Sequence, residues 1–379
     1  MENLAHSLVG AAFAELALPP TASPAQRRLF FTASIIAANL PDADLLYARI
    51  TPQPLGYLLH HRGHTHTLVG LAAQALIIGL VCLLPATRKL VAPLRTRFWT
   101  LIVASLLSHV VLDSLNSYGV HPFYPFDNRW YYGDALYIVE PWLWVLLGVA
   151  VAANTRDRYT RLGVVALIVA FTLVFVRMGF VSLSLLVAPV IVSVALGWIA
   201  TRVSARSRTI TALAAATLFV ATMFGLKHAV RTRALARAAT DTGGDIVDVI
   251  LSPRSANPFC WSVITVAKNE PGGTYSFRRG SLTPVRRFQS AATCDDWAEP
   301  EAQSLARLRD LGRDDCWVRA WLEFGRAPYI EAGEISDYRF GGRGNFSSMR
   351  LLPKEQAATC PSHLPTWDMP RQDLLRPSS

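Results

Sequence analysis

Seven of the nine histidines in this 379-residue chain lie within its first 121 positions: His6, His60, His61, His64, His66, His109 and His121. Asp42, Asp44, Asp113, Asp127, Asp134 and Glu140 accompany them. Imidazole nitrogens and carboxylate oxygens, with no thiolate nearby, are the donors of a catalytic zinc or related divalent ion. His109 and Asp113 stand four residues apart, which on a helix places both on one face. His64 and His66 flank a helix start, where the neutral imidazole that ligation requires is favoured. A divalent ion in such a set would bring the pKa of a bound water toward roughly 7, chemistry suited to an ester or phosphodiester. Arg62 is the expected clamp for an anionic phosphate, since a guanidinium pairs well with its oxygens. Asp42 or Glu140 is the expected general base. The metal ligands expected are His6, Asp44, His60, His64, His66, His109, Asp113 and Asp134.

These groups sit in a stretch that is otherwise poor in charge. The chain is 51% hydrophobic and 17% charged, where soluble domains carry about 25% charged residues. Its mean hydropathy is +0.28. The deficit lies before residue 230, in apolar runs separated by short basic connections. A bilayer crossing takes roughly 20 apolar residues. Thr67–Ala86, Phe98–Asn116, Val181–Ala200 and Ile210–Lys227 qualify, followed by Ala135–Ala153 and Thr160–Arg177. Leu4–Leu18 and Leu29–Pro41 are short and read as bundle-packed helices. The expectation is a membrane all-α helical bundle of about eight segments, then a small strand-rich α/β soluble domain. The division expected is a metal-site membrane domain over 1–145, additional transmembrane helices over 146–230, and a soluble domain over 240–379.

Every second connection is basic: Arg27 and Arg28; Arg88, Lys89, Arg95 and Arg97; Arg156, Arg158 and Arg161; Arg202, Arg206 and Arg208. Those connections are expected on the cytoplasmic side of a cytoplasmic (inner) membrane. The net charge of +10 is thereby read as a topology signal, and nucleic acid is not favoured as a partner. Arg231, Arg233 and Arg237 break the pattern by following the last span on the opposite side. With this topology His6, Asp42 and Asp44, His60–His66, His109 and Asp113, and Asp134 and Glu140 all converge on one outward leaflet. No cleavable signal peptide is expected.

An ionisable group at membrane depth is costly unless paired or coordinated, and several meeting at one leaflet favour a metal site. Single residues have plainer readings. His61 and His121 read as hydrogen-bonded helix-end residues, Asp127 as part of a turn in Phe126-Asp127-Asn128-Arg129, and His228 and His363 as non-catalytic. In the C-terminal third, strands are expected at Asp245–Leu251, Trp261–Ala267, Thr274–Phe277, Val318–Phe324 and Ser348–Leu352, with a helical run over Ala298–Leu311. Four of the five cysteines, Cys260, Cys294, Cys316 and Cys360, lie there, and an exported domain with an even number implies two disulfides in one of three pairings. Cys82 is in an apolar helix. Expected roles of this domain are to cover the site, to bind a substrate headgroup or to meet a protein partner.

The order His6, Pro41-Asp42-Ala43-Asp44, His60-His61-Arg62-Gly63-His64-Thr65-His66, Ser108-His109-Val110-Val111-Leu112-Asp113, Ser117-Tyr118-Gly119 and Pro125-Phe126 resembles the YdjM-like membrane-bound metal-dependent hydrolase family. The resemblance covers roughly residues 1–145; the family's Asp-Pro pair is here Glu140-Pro141. It implies a metal-dependent hydrolase. A more distant similarity is to zinc-dependent phospholipase C and the P1-type nucleases, matching His6, Asp44, one of His60 to His66, His109 and Asp113. Their His-x3-Glu pair has no counterpart after Asp113, so one or two ions, zinc first, are expected rather than three. The leading expectation is therefore a hydrolase acting on a phosphoester or lipid-like substrate, phosphodiesterase- or phospholipase-like, with the lipid bilayer as partner. The alternatives are an ion-binding transporter or channel, and a non-catalytic membrane regulator with a structural metal.

Overall fold

The computed structural model describes residues 1–239, 244–285, 294–353 and 360–376. Helix α1 (Asn3–Ala17) and helix α2 (Pro24–Asn39) pack side by side, with a Ser23–Gln26 capping box opening α2. After α2 the chain makes a 3-10 turn at Leu40–Ala43 and two short helices, α3 (Asp44–Tyr47) and α4 (Leu55–His60). Next come α5 (Leu68–Cys82), the short α6 (Pro85–Val91) and α7 (Arg95–Ser114). Four further apolar helices follow: α8 (Pro141–Asn154), α9 (Arg158–Arg177), α10 (Val187–Ala200) and α11 (Ala205–Ala239).

Several apolar helices thus stand in the region where about eight segments were expected. By length and composition five helical stretches among the described residues are long enough to cross a membrane: Pro24–Tyr47, Pro85–Ser114, Arg158–Arg177, Leu183–Ala200 and Ala205–Ala239. A sixth exists if Leu55–His66 and Leu68–Cys82, bent by 68° at their junction, count as one broken span. Irregular backbone at such a depth is tolerated where it is buried in protein or lines a polar site. This bend carries His66.

At 35 residues, α11 is about 52 Å long, well beyond a hydrocarbon core of about 30 Å. Its surplus turns leave the bundle and dock on the strands. Arg231 Nη1 donates to the Val249 carbonyl, Arg233 to the Thr283 carbonyl, and Arg237 Nη1 to Asp295 at 2.7 Å. The three arginines that break the alternation of basic connections therefore have a local cause.

The C-terminal region contains an antiparallel sheet in the order β1 (Asp245–Arg254), β2 (Asn257–Asn269), β3 (Thr274–Leu282), β4 (Glu301–Ser304). A smaller one runs β5 (Pro328–Glu331), β6 (Glu334–Asp337), β7 (Met349–Arg350). Successive side chains on a strand face opposite ways. Val249, Leu251 and Val263 accordingly join a core with Met223, Val230 and Ala234 of α11 and with Leu4, Leu8 and Trp144 of the bundle. Ile250, Ile264 and Val266 face a second core that holds Leu55, Leu58 and Leu59 of α4 and Trp130. The strand region is thus packed onto the end of the bundle where α1 begins and α2 and α7 finish.

Two sequence expectations are corrected here. Val318–Phe324, read as a strand, is mostly helix α13 (Cys316–Leu322) following α12 (Leu305–Asp314). Asp315 caps α13 by accepting from the Trp317 and Val318 amides, and Val318, Trp321 and Leu322 bury one helical face. Within Ala298–Leu311, Glu301–Ser304 is strand β4, and the helix begins at Leu305 under the Ser304 cap. The disulfides are Cys260–Cys294 and Cys316–Cys360.

Candidate metal centre

His66, His109, Asp113 and Asp42 come together where three chain segments meet. Asp42 is in the 3-10 turn that ends α2. His66 lies at the break before α5. His109 and Asp113 lie on one face of the last turns of α7. The His66 and His109 Nε2 atoms are 3.1 Å apart. His66 Nε2 lies 3.3 Å from Asp113 Oδ2 and 3.6 Å from Asp42 Oδ1; His109 Nε2 lies 3.5 and 3.4 Å from the same two oxygens. Zinc bonds of ~2.0–2.1 Å in a regular tetrahedron separate the ligand atoms by ~3.3–3.4 Å. Each of these five donor separations lies within about 0.3 Å of that edge, so the residues fit a small divalent ion.

The surrounding groups decide which atoms point inward. His66 Nδ1 is 3.2 Å from Asp44 Oδ2, and His109 Nδ1 donates to the Ala38 carbonyl at 2.7 Å. Both rings therefore carry the proton on Nδ1 and direct the Nε2 lone pair at the cluster, the arrangement by which outer groups orient ligating histidines. His66, His109 and Asp113 are nearly inaccessible, whereas the Asp42 side chain keeps 13% exposure. Two imidazole lone pairs and two carboxylates facing one another out of solvent favour a cation beyond the Arg62 guanidinium and Met1 amino group that already face Asp113.

Asp113 anchors a wider network. The Arg62 guanidinium pairs with it (Nε to Oδ2, 3.0 Å), donates to the Asn116 side chain and sits 4.8 Å from the Tyr118 ring centroid. Arg62, expected as a phosphate clamp, is thus engaged with Asp113. His6 stacks on His109 at 3.9 Å and brings Nε2 to 3.4 Å from Asp113 Oδ1, and neither of its ring nitrogens has a hydrogen-bond partner. The Met1 amino group contacts the same oxygen.

Asp44 lies just behind the donor set. It accepts from the Arg62 amide and the Thr65 hydroxyl and meets both His66 and His61. With Asp42 and His61 it forms a second, adjoining group that could hold a cation. His61 had been read as a helix-end residue, and its signal was only its place in the His-His-Arg-Gly run. Asp42, expected as a base, is shared by both groups.

The remaining expected residues lie elsewhere. The His60 ring packs on Tyr47, and His64 on Tyr124 and Trp367. Asp134 forms a two-pronged pair with Arg326, both bonds 2.8 Å. Glu140 caps α8 through the Trp142 amide. These four were expected near the site because topology assigns them to the same end of the bundle. Sharing an end does not bring side chains to one point.

Comparison with known proteins fits this placement. Residues 1–183 match the family described as "YdjM inner membrane protein". Over 92 residues, 24% of this chain and 49% of the relative, the chain is 41% identical to "Inner membrane protein YbcI" of Escherichia coli (strain K12). It is 26% identical over 184 residues to "Uncharacterized protein YfhP" of Bacillus subtilis (strain 168), covering 46% of this chain and 53% of the relative. The chain thus spans about half the length of the curated relatives it matches. No solved structure matches it. All four residues of the donor set fall inside the matched stretch, and over residues 1–183 the chain is similar to the YdjM inner membrane protein family.

Proposed function

We propose that this protein is a metal-dependent hydrolase of the cytoplasmic membrane whose His/Asp centre faces outward and acts on a phosphoester or lipid-like substrate. The observation that carries the reading is the near-tetrahedral spacing of Asp42, His66, His109 and Asp113 donor atoms. Asp42, His66, His109 and Asp113 would hold the ion, and zinc is the first candidate by donor type and spacing. When bound, it would supply Lewis acidity at the outer leaflet. The protein's own contributions are positional. Arg62 fixes Asp113, Asp44 fixes His66, and Asn3 Nδ2 donates to Asp42 Oδ2 at 2.9 Å, leaving Oδ1 toward the cluster.

The outward orientation is supported by the four basic connections at the opposite end and by two disulfides in the strand region. A site at that depth favours an amphiphilic substrate. A second reading, a structural ion in a non-catalytic protein, draws on the same geometry, because four protein donors close a tetrahedron. The unpartnered imidazole of His6 beside Asp113 and the partial exposure of Asp42 favour the hydrolase.

The test is elemental analysis of detergent-purified wild type beside a His109→Ala/Asp113→Ala variant, followed by assays on chromogenic phosphodiesters and phospholipids. About one or two equivalents of metal, lost in the variant, together with metal-dependent turnover, is expected. A folded wild type that stays empty after reconstitution overturns the metal centre. A loaded but inert protein supports the structural reading.

A further inference from the structure

A groove on an apolar face of the bundle is formed by α8, α9 and α10, running from Pro141 and Trp144 at one end to Ala153 at the other. Both α9 and α10 pack on α8, and between them lies a cavity of about 1120 Å³. Ligand pockets are commonly ~300–1,000 Å³. Gly148 of α8, Val165 of α9 and Val190 of α10 line it. Gly197 of α10 also lines it, and a Cβ there would meet nothing within 4 Å. The cavity follows α8 from Pro141 to Ala153, about 18 Å, more than the roughly 15 Å of hydrocarbon in one leaflet. An apolar slot of that length suits an acyl chain.

Its far end is not apolar. Arg161 and Arg208 both line it, from the first turns of α9 and α11, and no carboxylate is among the lining residues. Each arginine is anchored by a backbone carbonyl. Arg161 Nη2 donates to Thr155 at 2.7 Å and Arg208 Nη1 to Ala153 at 2.8 Å. Those bonds use only part of each fork, and the Arg208 Nε is buried with no hydrogen-bond partner. Two guanidinium groups with spare donors, at the N-terminal turns of two helices, are complementary to a phosphate. The metal donors are at the other end of the bundle, where Trp144 in the first turns of α8 donates to Glu2 at 2.6 Å.

We infer that this groove is a binding site for an anionic glycerophospholipid, with an acyl chain between α9 and α10 and the phosphodiester held by Arg161 and Arg208. The site is independent of the metal reading. It gives the protein a preference among bilayer lipids on the leaflet opposite the metal centre.

The test is native mass spectrometry of full-length protein released from mild detergent after equilibration with equimolar phosphatidylglycerol and phosphatidylcholine. Wild type should retain phosphatidylglycerol over phosphatidylcholine by about tenfold, the equivalent of one good charge-assisted contact. Arg161→Gln/Arg208→Gln should bring the ratio to about one. Gly197→Leu starts its side chain in open space within the groove and should lower retention of both lipids at an unchanged melting temperature. An Arg88→Gln/Lys89→Gln control, on a different connection, should keep the preference. Equal retention by wild type, an unchanged ratio in the arginine variant, full retention in Gly197→Leu, or equal loss in the control would each overturn the site.

Discussion

Asp44 Oδ2 stands 3.2 Å from His66 Nδ1, and on the far side of the same ring Nε2 stands 3.1 Å from His109 Nε2. Asp44 therefore acts on the centre through the tautomer and rotation of His66. It is also fixed itself, by the Arg62 amide at 2.9 Å and the Thr65 hydroxyl at 2.9 Å. Asp44→Asn would turn an amide toward groups that are all donors. We expect metal affinity to fall ~10–100-fold, the usual effect of losing an orienting partner, with binding still measurable. Asp113→Asn should abolish binding at the same concentrations. Competitive chelator titration separates the two, and equal losses would make Asp44 a ligand rather than a positioning residue.

The helices were legible because membrane insertion demands long apolar runs, and runs of that kind survive in any context. The helical His109/Asp113 pair was legible because its spacing alone places both residues on one face. The choice between Asp42 and Asp44 was not. They are separated by one residue, Asp42 in the 3-10 turn and Asp44 at the start of α3, and only the docking of the His61–His66 segment decides which faces the donors and which stands behind them. Nor could sequence separate His66 from His60 and His64, because a bent chain disperses neighbouring side chains in a way periodicity does not encode. α13 was misread since Val318, Trp321 and Leu322 have strand-like composition. The capping Asp315 was the overlooked signal.

Asp134 provides a test of the same distinction between shared location and shared site. It was expected as a ligand, and it is paired with buried Arg326, which also holds Asp248 at 2.8 Å. Arg326→Ala would strand buried Asp134 and leave half-buried Asp248 with Arg371 alone, at a cost of about 3–5 kcal/mol. The strand region should become far more sensitive to limited proteolysis. Asp134→Ala, by contrast, should leave metal stoichiometry at the wild-type value. Loss of metal in Asp134→Ala with an intact proteolytic pattern would restore its role as a ligand.

The disulfides report on stability and on sidedness. They close loops of 34 and 44 residues, for which the chain-entropy relation gives about 4 kcal/mol each. Reduction should lower the melting temperature of the strand region and leave the helical signal of the bundle in place. In intact cells the four cysteines should resist alkylation until a reductant is added, while Cys82 in α5 stays outside this pattern. Alkylation without reductant would place the strand region on the reducing side and reverse the proposed orientation.

Trp367 links the strand region to the bundle and predicts a pH response. Its amide donates to Glu323 Oε2 at 2.8 Å, its indole N–H donates to the Leu59 carbonyl at 2.8 Å, and its ring stacks on His121 at 3.8 Å. Burial raises the Glu323 carboxyl to about 7 and lowers the His121 imidazole to about 3. For Glu323 the folded value lies above the unfolded 4.5. Its contribution is therefore complete below about 4.5 and is lost as pH rises through about 7. For His121 the folded value lies below the unfolded 6.5. Its contribution is complete above that value and is lost as pH falls toward 3. Docking of the strand region, followed by intrinsic fluorescence of Trp367 against pH, should weaken at both ends. Glu323→Gln should remove the alkaline decline while leaving the acid one, since Gln can still accept from the Trp367 amide. An unchanged alkaline limb in that variant would show that another group controls the transition.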